Sequence, residues 1–260
     1  MLKNSIIVLF DGALLASVCV IFTVFLVIPS AADLSDGLVG AWALDGDTSD
    51  GTGNSPDGTI IGNPTWTDGR FGQALSFVGP KDNVNLGTLN PSEGTDQFSF
   101  GLWTEWAGNN GDYQLIFSKR WYEWTDAKTM WSFYLHTSDD ELLMLSPVSG
   151  PIFGVPMIEG EWMHLAVTYD GVNAKLYVDG EEKASDAFKM STGADSPLVL
   201  SGTVEQLEGY NGILDNVFLY NRTLDPDEVQ ELAGGVTPAD VLAVEATSKL
   251  AATWGMIKQG

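Results

Sequence analysis

The chain has 260 residues, with 35 acidic against 12 basic side chains and a formal net charge of −23. That length holds one large β domain or two small ones; the acidity excludes nucleic acid and acidic membrane surfaces as partners and attracts divalent cations. Twenty-nine glycines and nine tryptophans suit β structure with many turns, and the one cysteine, Cys19, leaves no disulfide to staple the body.

The first segment is apolar. Lys3 precedes a run from Ile6 to Ile28, broken by Asp11 and followed by Pro29-Ser30-Ala31-Ala32. Small residues at Ser30 and Ala32 fit an export signal cut after Ala32. The alternative is an uncleaved anchor helix, because about 20 apolar residues span a bilayer. A lipoprotein site at Cys19 lacks the small residue just before it. Either way the rest of the chain is expected outside the cytoplasm, secreted or at the cell surface. It touches a membrane only through residues 1–32, and only if they are retained.

Gly37 to Leu44 reads as an opening strand. The loop Asp45–Gly58 then holds four Asp, one Asn and four Gly. Glycines let carbonyls and short acids converge, which is the makeup of a Ca²⁺ loop. It is not an EF-hand, because the closing bidentate Glu is missing. A solvated, turn-rich loop is the other reading.

Short strands follow at regular spacing, near 59–62, 72–78, 84–87, 98–106, 113–118, 130–137, 141–145, 162–169, 174–178, 183–188, 198–201 and 212–220. This pattern predicts a sandwich or jelly roll. Phe98, Phe100 and Leu102 alternate as a core-facing row, as do Met163, Leu165, Val167 and Tyr169. Asp179-Gly180 between two strands is a type I′ hairpin signal. One short helix closes the body, with Asp225 as cap, Pro226 first, Glu228 completing a capping box and Gly234 ending it. Residues 33–235 are thus one domain and 236–260 a tail, in which Leu250, Trp254 and Ile257 lie at helical spacing. That tail either packs or is disordered, or serves in docking.

Gly212–Tyr220 poses a problem. Read as a regular strand, Ile213, Val217 and Leu219 share one face and Leu214, Phe218 and Tyr220 the other. Both faces are apolar, so the strand is central and covered on both sides. Asp215 then falls with Ile213 and Val217, where an ionised carboxylate is costly unless it meets a cation or several donors. No Lys or Arg lies within four residues. Either a bound Ca²⁺ or backbone N–H groups answer the charge.

Seven segments, in order, resemble a known family: Gly37-Leu38-Val39-Gly40-Ala41-Trp42, Asp50 to Thr59, Gly69-Arg70-Phe71-Gly72-Gln73-Ala74-Leu75-Ser76-Phe77, Phe98 to Trp103, Gly160 to Gly171, Leu176 to Gly180, and Gly212 to Leu224. The chain is similar to laminin-G-like, concanavalin A-like jelly-roll domains of the bacterial secreted, pentraxin-related type. The resemblance covers about Leu38 to Leu232. It implies an all-β sandwich of two antiparallel sheets. It also implies one structural Ca²⁺ held by the carboxylates of Asp50 and Asp215, with loop oxygens from Gly53 and Asn54. Asn216 and Phe218 stand where the family usually has Glu and Arg, and Ser55-Pro56 where Gly-Asn is common.

Catalytic signals are sparse. Glucanases of this broad fold carry Glu-x-Asp-x-x-Glu on one strand, and no Glu here has Asp two residues later. Glu159 and Glu161 read as solvated, and His164 and His136 lack a nucleophile partner. No nucleophile-elbow, zinc-protease or phosphate-loop motif occurs. Binding is the better-supported activity. Trp121, Tyr122 and Trp124 fall in one loop beside Lys119, Arg120, Glu123 and Asp126, and Trp106 ends a strand nearby. Exposed rings of this kind stack on sugars; the alternative is that they fold back onto the sheet. The expectation is a non-catalytic, calcium-stabilised module that recognises carbohydrate or a surface glycan. The second reading is an adhesive protein that binds other proteins, and the third a divergent glycoside hydrolase.

Overall fold

A computed structural model describes residues 34–79, 81–136, 138–237 and 240–243. The expected leader over 1–32 and the Leu250, Trp254, Ile257 stripe lie outside these residues. In chain order the elements are β1 (Leu38–Trp42), β2 (Thr59–Ile61), β3 (Thr65–Asp68), β4 (Gln73–Phe77), β5 (Asn83–Asn85), β6 (Phe98–Trp106), β7 (Gln114–Arg120) and β8 (Thr129–Leu135), then β9 (Glu141–Ser146), β10 (Ser149–Pro156), β11 (Trp162–Tyr169), β12 (Asn173–Val178), β13 (Glu181–Ala187), β14 (Leu198–Leu200), β15 (Gly212–Tyr220) and α1 (Pro226–Ala233).

The strands form two antiparallel sheets. One runs β13-β12-β11-β6-β15-β4-β3, with β1 also on β15; the other runs β10-β9-β8-β7-β14-β5-β2. The all-β sandwich is as expected. Strands β6, β11 and β15 begin and end where the alternation placed them. Strands β3 and β10 were not anticipated. β3 has no apolar alternation, and β10 carries Gly150, Pro151, Gly154 and Pro156. Those residues read as turns, but an edge strand with register shifts tolerates them.

The core lies between the sheets. Phe98, Phe100 and Leu102 from β6 and Met163, Leu165, Val167 and Tyr169 from β11 all face it. Trp131 from the opposite sheet stacks on Phe98 at 5.4 Å and on Phe100 at 5.1 Å between centroids. Asp179 and Gly180 both have positive φ, 51° and 81°, as a type I′ hairpin requires. Helix α1 has the expected capping box between Asp225 and Glu228. Arg222 then pairs with Glu228 at 2.6 Å, anchoring the helix to the end of β15.

The regular reading of β15 needs correction. The register slips between Asp215 and Phe218, and Asn216 adopts φ +48°. This bulge inserts one residue and swaps the faces beyond it. Leu214 points into the core, and so do Val217 and Leu219. Asp215 therefore shares the outer face with Phe218 and Tyr220, not the inner face with Val217. The slip has a cause in the sheet. On one side of β15, residues 212–214 pair with β4, whereas residues 217–220 pair with β1. Asp215 and Asn216 sit where one neighbour ends and the other begins.

Candidate functional site

A broad groove lies on the outer face of the seven-stranded sheet. Strand parity supplies its floor. Trp131 and Phe133 of β8 and Met144 of β9 enter the core, so Ser132, Tyr134 and Leu145 point out. On β7, Leu115 does the same. The floor, together with Tyr113, Arg120, Tyr122, Glu123, Trp124 and Glu208, encloses about 500 Å³.

Arg120 builds the rim. Its Nε donates to Trp121 O and its Nη2 to Tyr122 O, each at 2.9 Å. Its Nη1 lies 3.2 Å from the Glu208 carboxylate, and its guanidinium carbon 5.0 Å from the Trp124 ring centroid. One buried side chain thus braces the loop that follows β7 and presents its rings. Further bonds close that loop, from Trp121 N to Lys128 O and from Thr129 Oγ1 to Glu123 O. Tyr122 and Trp124 stay 50% and 41% exposed, and Tyr113 41%, so three ring faces remain open to a ligand. Tyr113 also lies tilted against Tyr134 at 5.9 Å and edge-on to His136 at 5.5 Å between centroids.

The electrostatics show the cost of this arrangement. Burial raises the Glu208 carboxyl above its usual range, with Asp112 adding to the effect, although Arg120 opposes it. Burial likewise lowers the Arg120 guanidinium, against Glu208 and Glu205. In both groups desolvation outweighs the pairing. The Tyr134 hydroxyl is pushed up to about 12, first by burial, so it stays a neutral donor and acceptor. A second hollow of about 360 Å³ adjoins the loop, lined by Trp121, Tyr122, Glu123, Lys128 and Glu205. Lys128 Nζ lies 5.7 Å from the Trp121 ring centroid there.

The second acidic centre surrounds Asp215, which is fully buried. Its Oδ2 accepts from Phe71 N at 3.0 Å and its Oδ1 from the Asn216 side-chain amide at 2.7 Å, with Arg70 N also contributing. The turn before β4 approaches so closely that a Cβ on Gly69 would lie 2.7 Å from Asp215 Oδ2. The Asp215 carboxyl is pushed up to about 6, first by burial and then by Asp45, against the hydrogen bonds. Asp45 itself accepts from Gln73 N at 2.6 Å.

A family model described as the concanavalin A-like lectin/glucanases superfamily, of the Laminin G 3 type, matches residues 78–230. The chain belongs to that superfamily. Mouse (Mus musculus) pappalysin-1 is 31% identical over 113 residues, which span 40% of this chain and 7% of that protein. Domain 4 of AbnA, an extracellular GH43 arabinanase from Geobacillus stearothermophilus solved with arabinotriose, superposes with a TM-score of 0.61. It is 24% identical, over 75% of this chain and 98% of that one. The binding domain of botulinum neurotoxin DC, solved with SialylT, gives 0.57 at 14% identity, over 76% and 51%. Likenesses at these identities show the lectin-like sandwich alone.

Within this superfamily frame, the four expected metal ligands lie on two elements, Asp50, Gly53 and Asn54 in the first loop and Asp215 on β15. Asp50 bridges to Trp42, and Trp42 pairs in turn with Val217, so strand β1 stands between Asp50 and β15. Two strand spacings amount to about 10 Å. The Asp50 carboxylate is already engaged by Ala41 N, Thr52 N, Thr52 Oγ1 and Ser55 N. It shapes its own loop. Gly53 and Asn54 lie exposed at that loop's tip. The acid that acts on Asp215 is Asp45, at the start of the same loop. Among the described residues, no three His, Cys, Asp or Glu side chains converge.

The expected sugar-binding rings also divide. Tyr122 and Trp124 line the main groove, and half-buried Trp121 lines the second hollow. Trp106 does neither, being 3% exposed in the core with Nε1 donating to Gln114 Oε1. It follows the inward parity of β6, which places it with Phe98, Phe100 and Leu102. Tyr113, Tyr134 and Glu208 were not anticipated. Tyr134 had a signal, since it alternates out of phase with Phe133 and Leu135. Glu208 had none, arriving from a loop 88 positions beyond Arg120.

Proposed function

We propose that this chain is a non-catalytic, extracytoplasmic carbohydrate-binding module that holds a glycan in the groove beneath Tyr113, Tyr122 and Trp124. One observation carries the reading: three exposed ring faces and a floor that mixes the Ser132 and Tyr134 hydroxyls with Leu115 and Leu145 share one open groove, and a buried guanidinium preorganises the loop that bears two of the rings. Sugars bind such places by stacking on rings and hydrogen bonding at the edges. The arabinotriose held by the AbnA domain supports the class. A glycan array on the full chain tests it. Binding that is lost in Trp124→Ala and Tyr122→Ala supports it, whereas no glycan bound at millimolar concentration favours a protein partner.

A structural Ca²⁺ belongs to the same proposal, moved from the expected set to Asp45 and Asp215. The oxygen donors suit a hard cation: the Asp45 carboxylate lies close enough to raise that of Asp215. The Gln73 amide oxygen lies beside Gly46, next to Asp45. A bound cation would supply the countercharge that Asp215 lacks and would tie the first loop to the closing strand.

A second reading has one observation in its favour. Glu123 and Glu208 line the same groove, and Glu208 is raised as a general acid would be. Its pairing with Arg120 gives that carboxylate a bracing role instead. Release of reducing ends from any bound oligosaccharide, abolished in Glu208→Gln, would restore a glycosidase assignment.

A further inference from the structure

We propose that the groove selects neutral glycans and discriminates against acidic ones carrying uronic, sialic or sulfate groups; this rests on the glycan reading above. An uncharged sugar needs ring faces and hydroxyl partners. An acidic sugar also needs a cation free to pair with it. The groove offers the first and withholds the second.

Arg120 is the guanidinium within the groove, and all three of its nitrogens are engaged, by Trp121 O, Tyr122 O and Glu208. Lys119, its neighbour, lies across the sheet on the core side. It is fully buried, with Nζ donating to Thr88 O at 3.2 Å and Ser196 O at 2.8 Å. His136, beside Tyr113, faces Asp139 at 3.0 Å. In the adjoining hollow Lys128 shares the space with Glu123 and Glu205.

Around the groove and its adjoining hollow, four acids stand against two cations, Arg120 and Lys128. Glu123 and Glu208 line the groove, Glu205 acts on Arg120, and Asp112 acts on Glu208. An incoming carboxylate or sulfate thus meets net negative charge at close range. The whole chain, at −23, repels it from a distance as well. Like-charge juxtaposition in a binding site is an effective means of rejecting the wrong partner.

The test uses matched pairs against the full chain: lactose with sialyllactose, and xylo-oligosaccharides with and without a glucuronic acid branch, by titration calorimetry and glycan array. The neutral member is expected to bind about tenfold or more tightly, with the gap narrowing between about 20 mM and about 500 mM salt as screening grows. An acidic member bound as tightly as its neutral partner, in low salt, overturns the proposal. If no member of either class binds, the glycan reading itself falls, and this inference with it. Glu123→Gln separates charge from shape. Glu123 is exposed and supports the loop through its main-chain carbonyl, so the variant keeps its melting temperature, and the readout is the ratio of acidic-glycan to neutral-glycan affinity. That ratio should rise several-fold; an unchanged gap also overturns the proposal.

Discussion

Arg120 supports Trp124 from within the groove: its guanidinium carbon lies 5.0 Å from the indole ring centroid, while Nη1 meets Glu208 at 3.2 Å. The same side chain holds the carbonyls of Trp121 and Tyr122. The eight-residue loop 121–128 between β7 and β8 would otherwise lose its geometry to chain entropy. Here its aromatic rims are set before any ligand arrives, which lowers the ordering cost of binding.

Removing Arg120 is therefore expected to disturb two things at once. Arg120→Met leaves Glu208 buried without its cation and should cost about 3 kcal/mol in stability. It also frees the loop, so ligand affinity falls further than the lost stability alone explains. Adding Glu208→Gln to the same protein removes the stranded charge and should restore most of the melting temperature but not the affinity. Urea denaturation and calorimetry on the two single variants and the double variant check this.

Two tryptophans separate binding from folding. Trp124→Ala removes an exposed ring and should reduce glycan affinity about tenfold, the equivalent of 1.4 kcal/mol, with stability almost unchanged. Trp106→Ala empties a core position and should cost about 3–5 kcal/mol, leaving little folded protein at 37 °C. Equal losses of binding with full stability in both would contradict the placement of these rings.

His164 is expected to limit stability in acid. The ring is fully buried between Trp103 and Phe218, and neither ring nitrogen has a hydrogen-bond partner among the described residues. The nearby Asp179 carboxylate accepts from the main-chain N–H of His164 and leaves the ring unpaired. Burial lowers its pKa from 6.5 to about 3. Above pH 6.5 the ring is neutral in both states and nothing is lost. As pH falls from 6.5 toward 3 the unfolded chain takes the proton first, so stability declines by up to about 1.4 kcal/mol per pH unit. His164→Leu should flatten that part of the melting-temperature profile; an unaltered slope would refute the assignment.

Asp215 acts in the opposite direction in metal-free protein. Its folded pKa of about 6 lies above the ordinary 3.8, so stability present below pH 3.8 is lost as pH rises to about 6. Asp215→Asn should then melt at or above the wild-type temperature in chelator at pH 7. With millimolar Ca²⁺ the order reverses, because wild type gains stability from the ion and the variant does not. Asp45→Asn should also lose the calcium response, whereas Asp50→Asn should lower stability in both conditions and keep it. Differential scanning calorimetry with and without calcium distinguishes all three. A wild type indifferent to calcium would remove the proposed ion.

The sandwich was legible in the residues because its signals are local. Alternation in Phe98–Trp106 and Trp162–Tyr169, the Asp179-Gly180 turn and the Asp225 cap each act over a few positions, and the core follows from their summed apolar faces. The groove was legible only in part, through the density of rings in Trp121–Trp124. Its assembly brings together Tyr113, Arg120, Tyr134, Leu145 and Glu208, and no spacing rule connects residues that meet only when β7, β8 and β9 align. Tertiary structure alone likewise decided the partner of Asp215. The Asn216 bulge forms because β15 changes neighbours from β4 to β1, and that exchange sets the carboxylate against the Gly69–Gln73 turn and Asp45, with Asp50 left beyond a strand. Parity along a strand is a property of the chain. Where it breaks depends on what lies beside the strand.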